Sequence, residues 1–225
     1  MRTHKQTARI AGILFIVGTI AGALSAVVMQ PVLTEADYLS RLASYETRIT
    51  IGSLLVLTMA FSLALIPAVM FPIFRAYNEV LALGSIIFRG ALESVAYLAI
   101  VLSWLLLITI GQQYASAGSQ DVTTLKAIGD MVLASGDWLN HLLALVFSIG
   151  ALMMYYLFFA SKLIPRWLSV WGIAGAVLYF SVPLLGIFGL EFAVLMAPLA
   201  LQEMVLAIWL IVKGFNAVPS NYSFR

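Results

Sequence analysis

Six long apolar runs constrain this chain more than any other feature of its sequence. Each run meets or exceeds the ~20 apolar residues that a helix needs to cross the ~30 Å hydrocarbon layer of a membrane. The runs are Ile10–Met29, Ile49–Phe74, Ala82–Gly111, Trp138–Ser161, Trp167–Phe188 and Phe192–Val212. With 63% hydrophobic residues, the 225-residue chain has more apolar surface than a soluble core can bury. The sequence therefore predicts an all-α polytopic membrane protein, a single domain over residues 1–225 with six transmembrane helices bundled in the lipid bilayer.

The positive charges predict the orientation of these helices. The first run is long enough to span the bilayer and no clear cleavage site follows it, so we expect an uncleaved first helix. If the N-terminus is inside, eight Lys and Arg residues are cytoplasmic and three are outside. The eight are Arg2, Lys5, Arg9, Arg75, Lys162, Arg166, Lys213 and Arg225, and the three are Arg41, Arg48 and Lys126. This excess predicts that both termini are cytoplasmic.

Composition argues against several kinds of function. A net charge of +2 is too small to indicate nucleic-acid binding. The chain has no cysteine, which excludes disulfides, thiolate metal sites and cysteine nucleophiles. Its two histidines include only one, His141, near a membrane run, and no set of three or four zinc ligands is evident. We therefore expect no metal and no cofactor.

Three charged residues lie inside the apolar runs: Arg89, Glu93 and Glu203. A charge at the bilayer centre costs ~2.5–3.5 kcal/mol, so such residues are expected to pair or to face a cavity. Arg89 and Glu93 are four residues apart and share a helix face. At 1.5 Å per residue, Glu93 lies ~17 Å from the start of the third run and Glu203 lies ~15 Å from the cytoplasmic end of the sixth, so their depths are similar. The sequence predicts a polar pocket formed by these three residues, with Gln202 and Tyr97 able to contribute hydrogen bonds.

Three interpretations of this predicted pocket remain open. The first is a non-enzymatic protein that binds a small molecule, a lipid or a proton there. The second is an intramembrane enzyme acting on a lipid, with Glu93 or Glu203 as general base and Arg89 as an anion clamp. The third is a structural partner subunit, in which the charges fix helix register and Arg89 extends to the membrane surface. Two acids and one arginine leave one carboxyl over, which we expect to hold a proton.

A second polar cluster, Asp137, Asn140 and His141, lies at the outer start of the fourth run. Asp137 and His141 are four residues apart, so the carboxylate could orient the imidazole of a pH-sensitive or catalytic histidine. The alternative is a helix start, with Asp137 near the N-cap and its charge favoured by the helix dipole.

Two further patterns concern the outer segments and helix contacts. Residues 31–48 and 119–136 each place apolar residues on one face, which predicts two short amphipathic helices over the outer end of the bundle. Gly18 and Gly22 form a small-xxx-small pair in the first run. Such pairs let helices approach closely, so this face could mediate a homo- or hetero-oligomer.

The chain resembles a bacterial family of small six-pass membrane proteins, domain of unknown function 4386. The likeness rests on Thr7–Gly12, on Leu163–Leu168 with Trp171, Gly172, Ala174 and Gly175, and on Gln202–Glu203 with Ala207–Gly214. Glu203 matches an acid typical of the family, and Arg89 with Glu93 matches a polar pair in its third span. Gln202 departs from the small residue expected there. The resemblance implies six helices in a bacterial cytoplasmic membrane, and it carries no activity, substrate or cofactor.

Overall fold

The computed structural model describes residues 2–34, 37–116, 121–190 and 192–216. Six helices in it are long and apolar enough to cross a membrane. They are α1 (Arg2–Thr34), α2 (Tyr38–Phe74), α3 (Glu79–Ser116), α4 (Asp121–Ser161), α5 (Arg166–Ile187) and α6 (Ala193–Val212). The described residues contain no strand, so the all-α, six-helix prediction is confirmed. Arg225 lies outside the described residues, and the orientation of the termini stays a prediction.

The prediction of two separate amphipathic helices at the outer end is wrong. Residues 38–48 continue directly into α2, and residues 121–136 continue directly into α4. Their apolar faces pack against the neighbouring helices, with Leu39, Leu42 and Leu125 buried. The Tyr38 hydroxyl donates a hydrogen bond to Asp130 Oδ1 at 2.9 Å, which joins the two extensions. Residues 35, 36 and 117–120, between these helices and their predecessors, lie outside the described residues.

The six helices form a closed ring. Each helix packs against its neighbours in sequence, and α6 returns to pack against α1. Side chains that point into the ring can therefore contact several helices. The outer face of every helix is apolar and suited to lipid. This arrangement lets a side chain in the first half of α3 reach residues of α1, α4 and α6.

Helix α3 changes its winding where it carries Arg89. Residues Glu79–Ser85 are α-helical, Ile86–Leu92 form a π-helix, and Glu93–Ser116 are α-helical again. Single π-turns within α-helices are frequent at functional sites. The π-helical backbone lies against α4 at Gly150, where an added Cβ would be 2.8 Å from the backbone nitrogen of Arg89. A residue without a side chain at position 150 therefore lets Arg89 approach α4 closely.

Several of the residues that carry the family resemblance pack together at one end of the ring. Gly12 faces the backbone of Ala207, where a Cβ would be 2.7 Å from the carbonyl oxygen. After α6, Gly214 adopts a φ of 75° and turns the chain back. The Asn216 backbone N–H then donates to the Leu163 carbonyl at 2.8 Å, in the α4–α5 connection. The resemblance thus maps onto contacts that hold α1, α4, α5 and α6 together at this end.

Gly18 and Gly22 face α2 of the same chain. An added Cβ on Gly18 would be 2.8 Å from the Leu63 side chain, and one on Gly22 would collide with the Met59 sulfur. The close approach that such pairs permit is therefore used between α1 and α2.

Candidate functional site

Arg89 forms an ion pair with Glu203 in the middle of the ring. Its Nη2 lies 2.7 Å from Glu203 Oε1, and the pair joins α3 to α6. The Arg89 side chain is 0% exposed and that of Glu203 is 12% exposed. The Tyr155 hydroxyl, on α4, donates to the same Glu203 oxygen at 3.2 Å. Arg89 therefore does not extend to the membrane surface, although a role of the charges in fixing helix register stays open.

Aromatic rings complete the environment of the guanidinium group. Its central carbon lies 5.5 Å from the ring centroid of Phe15 and 4.6 Å from that of Phe147. Both distances are within the ~6 Å over which an aromatic face attracts a cation. Phe147 also packs against Tyr179 of α5, with ring centroids 4.8 Å apart. The positive charge is thus stabilised from α1, α4 and α6 at once.

The Glu93 carboxyl lies close to this ion pair but makes no hydrogen bond to any residue that the structure describes. Its side chain is 1% exposed, and neither carboxyl oxygen has a hydrogen-bond partner among the described residues. Two guanidinium nitrogens of Arg89, Nε and Nη1, are also without a partner there. Buried polar atoms are almost always hydrogen-bonded, so an unpartnered carboxyl and donor pair in one site calls for a functional or solvent explanation.

Three tyrosines lie around the two carboxyl groups. Tyr97, Tyr155 and Tyr179 each interact electrostatically with Glu203, and Tyr97 and Tyr179 also interact with Glu93. Tyr97 belongs to the predicted pocket and lies at this centre. Tyr155 and Tyr179 were not predicted, because an isolated tyrosine in an apolar helix carries no pattern that tells a site residue from a packed one.

Gln202, which was also predicted to join this centre, makes its hydrogen bond elsewhere, and its part in binding stays a prediction. Its Nε2 donates to the backbone carbonyl of Leu168 at 3.0 Å, so it links α6 to the start of α5. The structure therefore brings together Arg89, Glu93, Glu203 and Tyr97, and it assigns Gln202 to a helix contact. Adjacent helix residues point about 100° apart, which is why Glu203 and Gln202 face different neighbours.

Both predicted explanations of the second polar cluster require correction. His141 Nδ1 donates to the backbone carbonyl of Asp137 at 2.8 Å, and not to its carboxylate. Asp137 lies well inside α4, which begins at Asp121, so it is no helix start. Asn140 and His141 instead line a cavity between α4, α5 and α6.

A comparison with known families identifies the family of the chain. Residues 10–214 match the family described as domain of unknown function DUF4386. The chain belongs to this family. No curated protein and no solved structure matches it significantly.

The chemistry of the central site follows from its charged and hydroxyl groups. The described residues contain no group of three or more His, Asp or Glu side chains that could hold a metal ion. The central site instead has one guanidinium group between two carboxyl groups, with tyrosine hydroxyls nearby. Such a set can store a proton or bind a small polar molecule, as its unpartnered atoms become occupied.

Proposed function

We propose that this DUF4386 protein is a non-enzymatic membrane protein that binds and releases a proton at Glu93. The observation that carries the proposal is the buried Glu93 carboxyl, which has no hydrogen-bond partner among the described residues. The nearby Arg89 is already paired with Glu203. Glu93 is therefore the acid left over when the single arginine is neutralised.

Charge balance supports a proton in particular. With both acids ionised, the centre carries one net negative charge, and burying an uncompensated charge is strongly unfavourable. One proton on Glu93 makes the centre neutral and gives this carboxyl a hydrogen to donate. The tight burial of Glu93 and Arg89 favours an occupant of the size of a proton or a water molecule over a large ligand.

Infrared spectroscopy of the protein in lipid nanodiscs tests the proposal. A protonated carboxyl has a carbonyl band distinct from that of a carboxylate. We expect such a band to appear and disappear reversibly as the pH is varied over the range in which the protein stays folded. The band should be absent in Glu93→Gln and unchanged in Glu79→Gln, a matched control at an exposed acid of the same helix.

A band that never changes with pH, or that persists in Glu93→Gln, would overturn proton exchange at this residue. A band that is present at every pH and is lost in Glu93→Gln would favour a second candidate, in which the charges only hold the helices in register. The complete burial of Arg89 and its two aromatic contacts support that candidate. The lipid-enzyme alternative has less support, because a substrate anion must reach Arg89, whose exposed fraction is 0%.

The cellular setting belongs to the same proposal. The distribution of Lys and Arg supports cytoplasmic termini, and the family resemblance supports a bacterial cytoplasmic membrane. Gly18 and Gly22 contact α2 of the same chain, so a partner helix in an oligomer would have to use other residues.

A further inference from the structure

A cavity of about 190 Å³ opens at the end of the bundle that the charge distribution predicts to be outside. It lies between α4, the end of α5 and the start of α6. Its walls include Asn140, His141, Pro183, Gly186, Phe192 and Met196. Glu191, which is adjacent to lining residues in the sequence, lies outside the described residues. The cavity is separate from Glu93 and has its own polar groups.

The hydrogen bond of His141 fixes the role of its ring. A backbone carbonyl only accepts, so the 2.8 Å contact with Asp137 requires that Nδ1 carries a hydrogen. In the neutral imidazole the other nitrogen, Nε2, is then an acceptor. The acceptor side of the ring therefore faces away from its own helix backbone and toward α5.

Gly186 makes room for this nitrogen. A Cβ at position 186 would collide with His141 Nε2, so only glycine lets the ring lie at this point of α5. Asn140, the preceding residue on α4, contributes an amide that can donate as well as accept. The cavity thus combines an acceptor, a donor and apolar walls formed by Pro183, Phe192 and Met196.

We propose that this cavity binds a hydroxyl group carried on a small apolar body, such as an aromatic alcohol. The hydroxyl hydrogen is donated to His141 Nε2, and the hydroxyl oxygen accepts from the Asn140 amide. A dry cavity of about 150 Å³ is known to bind benzene, so about 190 Å³ accommodates a six-membered ring with a hydroxyl group. The proposal is independent of proton binding at Glu93.

Nuclear magnetic resonance of the histidine nitrogens tests it directly. The chain has two histidines, so ¹⁵N-histidine labelling gives few signals, and His4→Gln identifies those of His141. The full chain in phosphatidylcholine nanodiscs is titrated with phenol and, separately, with toluene. We expect phenol to shift the His141 Nε2 signal saturably, and toluene, which has the same shape without the hydroxyl, to leave that signal near its starting position.

Three variants distinguish phenol binding in the cavity from nonspecific partitioning of phenol into the membrane. Ala193→Phe fills the cavity and should abolish the phenol shift. Asn140→Leu keeps the volume but removes the donor, and should weaken phenol binding about three- to tenfold. Glu191→Gln should bind phenol as the parent does, because the two partners of the hydroxyl are Asn140 and His141.

Several results would overturn the proposal: a shift that never saturates, an equal shift with toluene, or full phenol binding in Ala193→Phe or Asn140→Leu. Loss of binding in Glu191→Gln would also do so, because it would place the acceptor on that carboxylate. Dioleoylglycerol added to the nanodiscs then separates two sources of the hydroxyl. Displacement of phenol identifies a lipid occupant, and undiminished phenol binding identifies a free alcohol; both results retain the site.

Discussion

The charged centre and the outer cavity differ in how their polar groups are given partners. Each places polar atoms in an apolar chain, but Arg89 receives contacts from Phe15, Phe147 and Glu203 on three other helices. His141 satisfies one nitrogen within its own helix and leaves the other beside a cavity. The permanent charge of Arg89 has partners on several helices, whereas the imidazole of His141 has its hydrogen bond within its own helix. We therefore expect substitutions at the centre to affect stability much more than those at the cavity.

The largest expected effect is that of the double variant Glu93→Gln with Glu203→Gln. It leaves Arg89 buried without a counter-charge, and breaking a buried pair in this way costs about 3–5 kcal/mol. Unfolding of the purified protein in mixed micelles measures the loss. A loss below about 1 kcal/mol would show that the centre contributes no more to the free energy of unfolding than the cavity does.

Glu203→Gln alone should cost less, about 2–3 kcal/mol, because Glu93 remains close enough to balance Arg89. The same unfolding assay gives the value. The two single variants and the double variant form a cycle, and we expect the double loss to exceed the sum of the single losses. Additive losses would mean that the two acids do not substitute for each other.

Gly150→Ala tests whether the π-helical turn is part of the centre. The new methyl group would lie 2.8 Å from the Arg89 backbone nitrogen, and forced overpacking costs about 1–3 kcal/mol. Gly136→Ala on the same helix is the matched control, because nothing lies within 4 Å of its Cβ. That control should be neutral or stabilising by up to ~1 kcal/mol. Equal effects of the two variants would contradict a role for Gly150.

Asn140→Leu should change the free energy of unfolding least, by no more than about 0.5 kcal/mol, as for most exposed positions. Thermal unfolding in nanodiscs provides the comparison with Glu203→Gln. A loss comparable to that of Glu203→Gln would give the cavity a structural role and would remove the contrast between the two regions.

The sequence was sufficient for the six helices because the length of an apolar run reports directly on membrane spanning. It was also sufficient to single out Arg89, Glu93 and Glu203, because charges are rare in such runs. It did not reveal the contributions of Phe147 and Tyr155. In a membrane helix the lipid-facing and inward-facing sides are both apolar, so periodicity does not show which aromatic residues point inward.

The π-helical winding of α3 and the continuity of α2 and α4 could not be predicted from the sequence either. No local sequence motif marks the π-turn, and its close contact with Gly150 of α4 is visible only in the folded chain. The outer segments 38–48 and 121–136 have the apolar spacing of short helices, and that spacing is the same when they extend a longer one. Only the packing of the ring distinguishes the two cases.

The span of the ion pair along the chain has a consequence for biosynthesis. Arg89 and Glu203 are 114 residues apart. At a synthesis rate of ~5–20 residues per second, that separation corresponds to roughly 6–23 s between the emergence of the cation and that of its partner. During this interval Glu93, on the same helix, is the carboxyl nearest in sequence to Arg89. Glu93, which has no hydrogen-bond partner among the described residues of the folded protein, is thus placed to balance the charge of Arg89 in the bilayer until α6 is inserted.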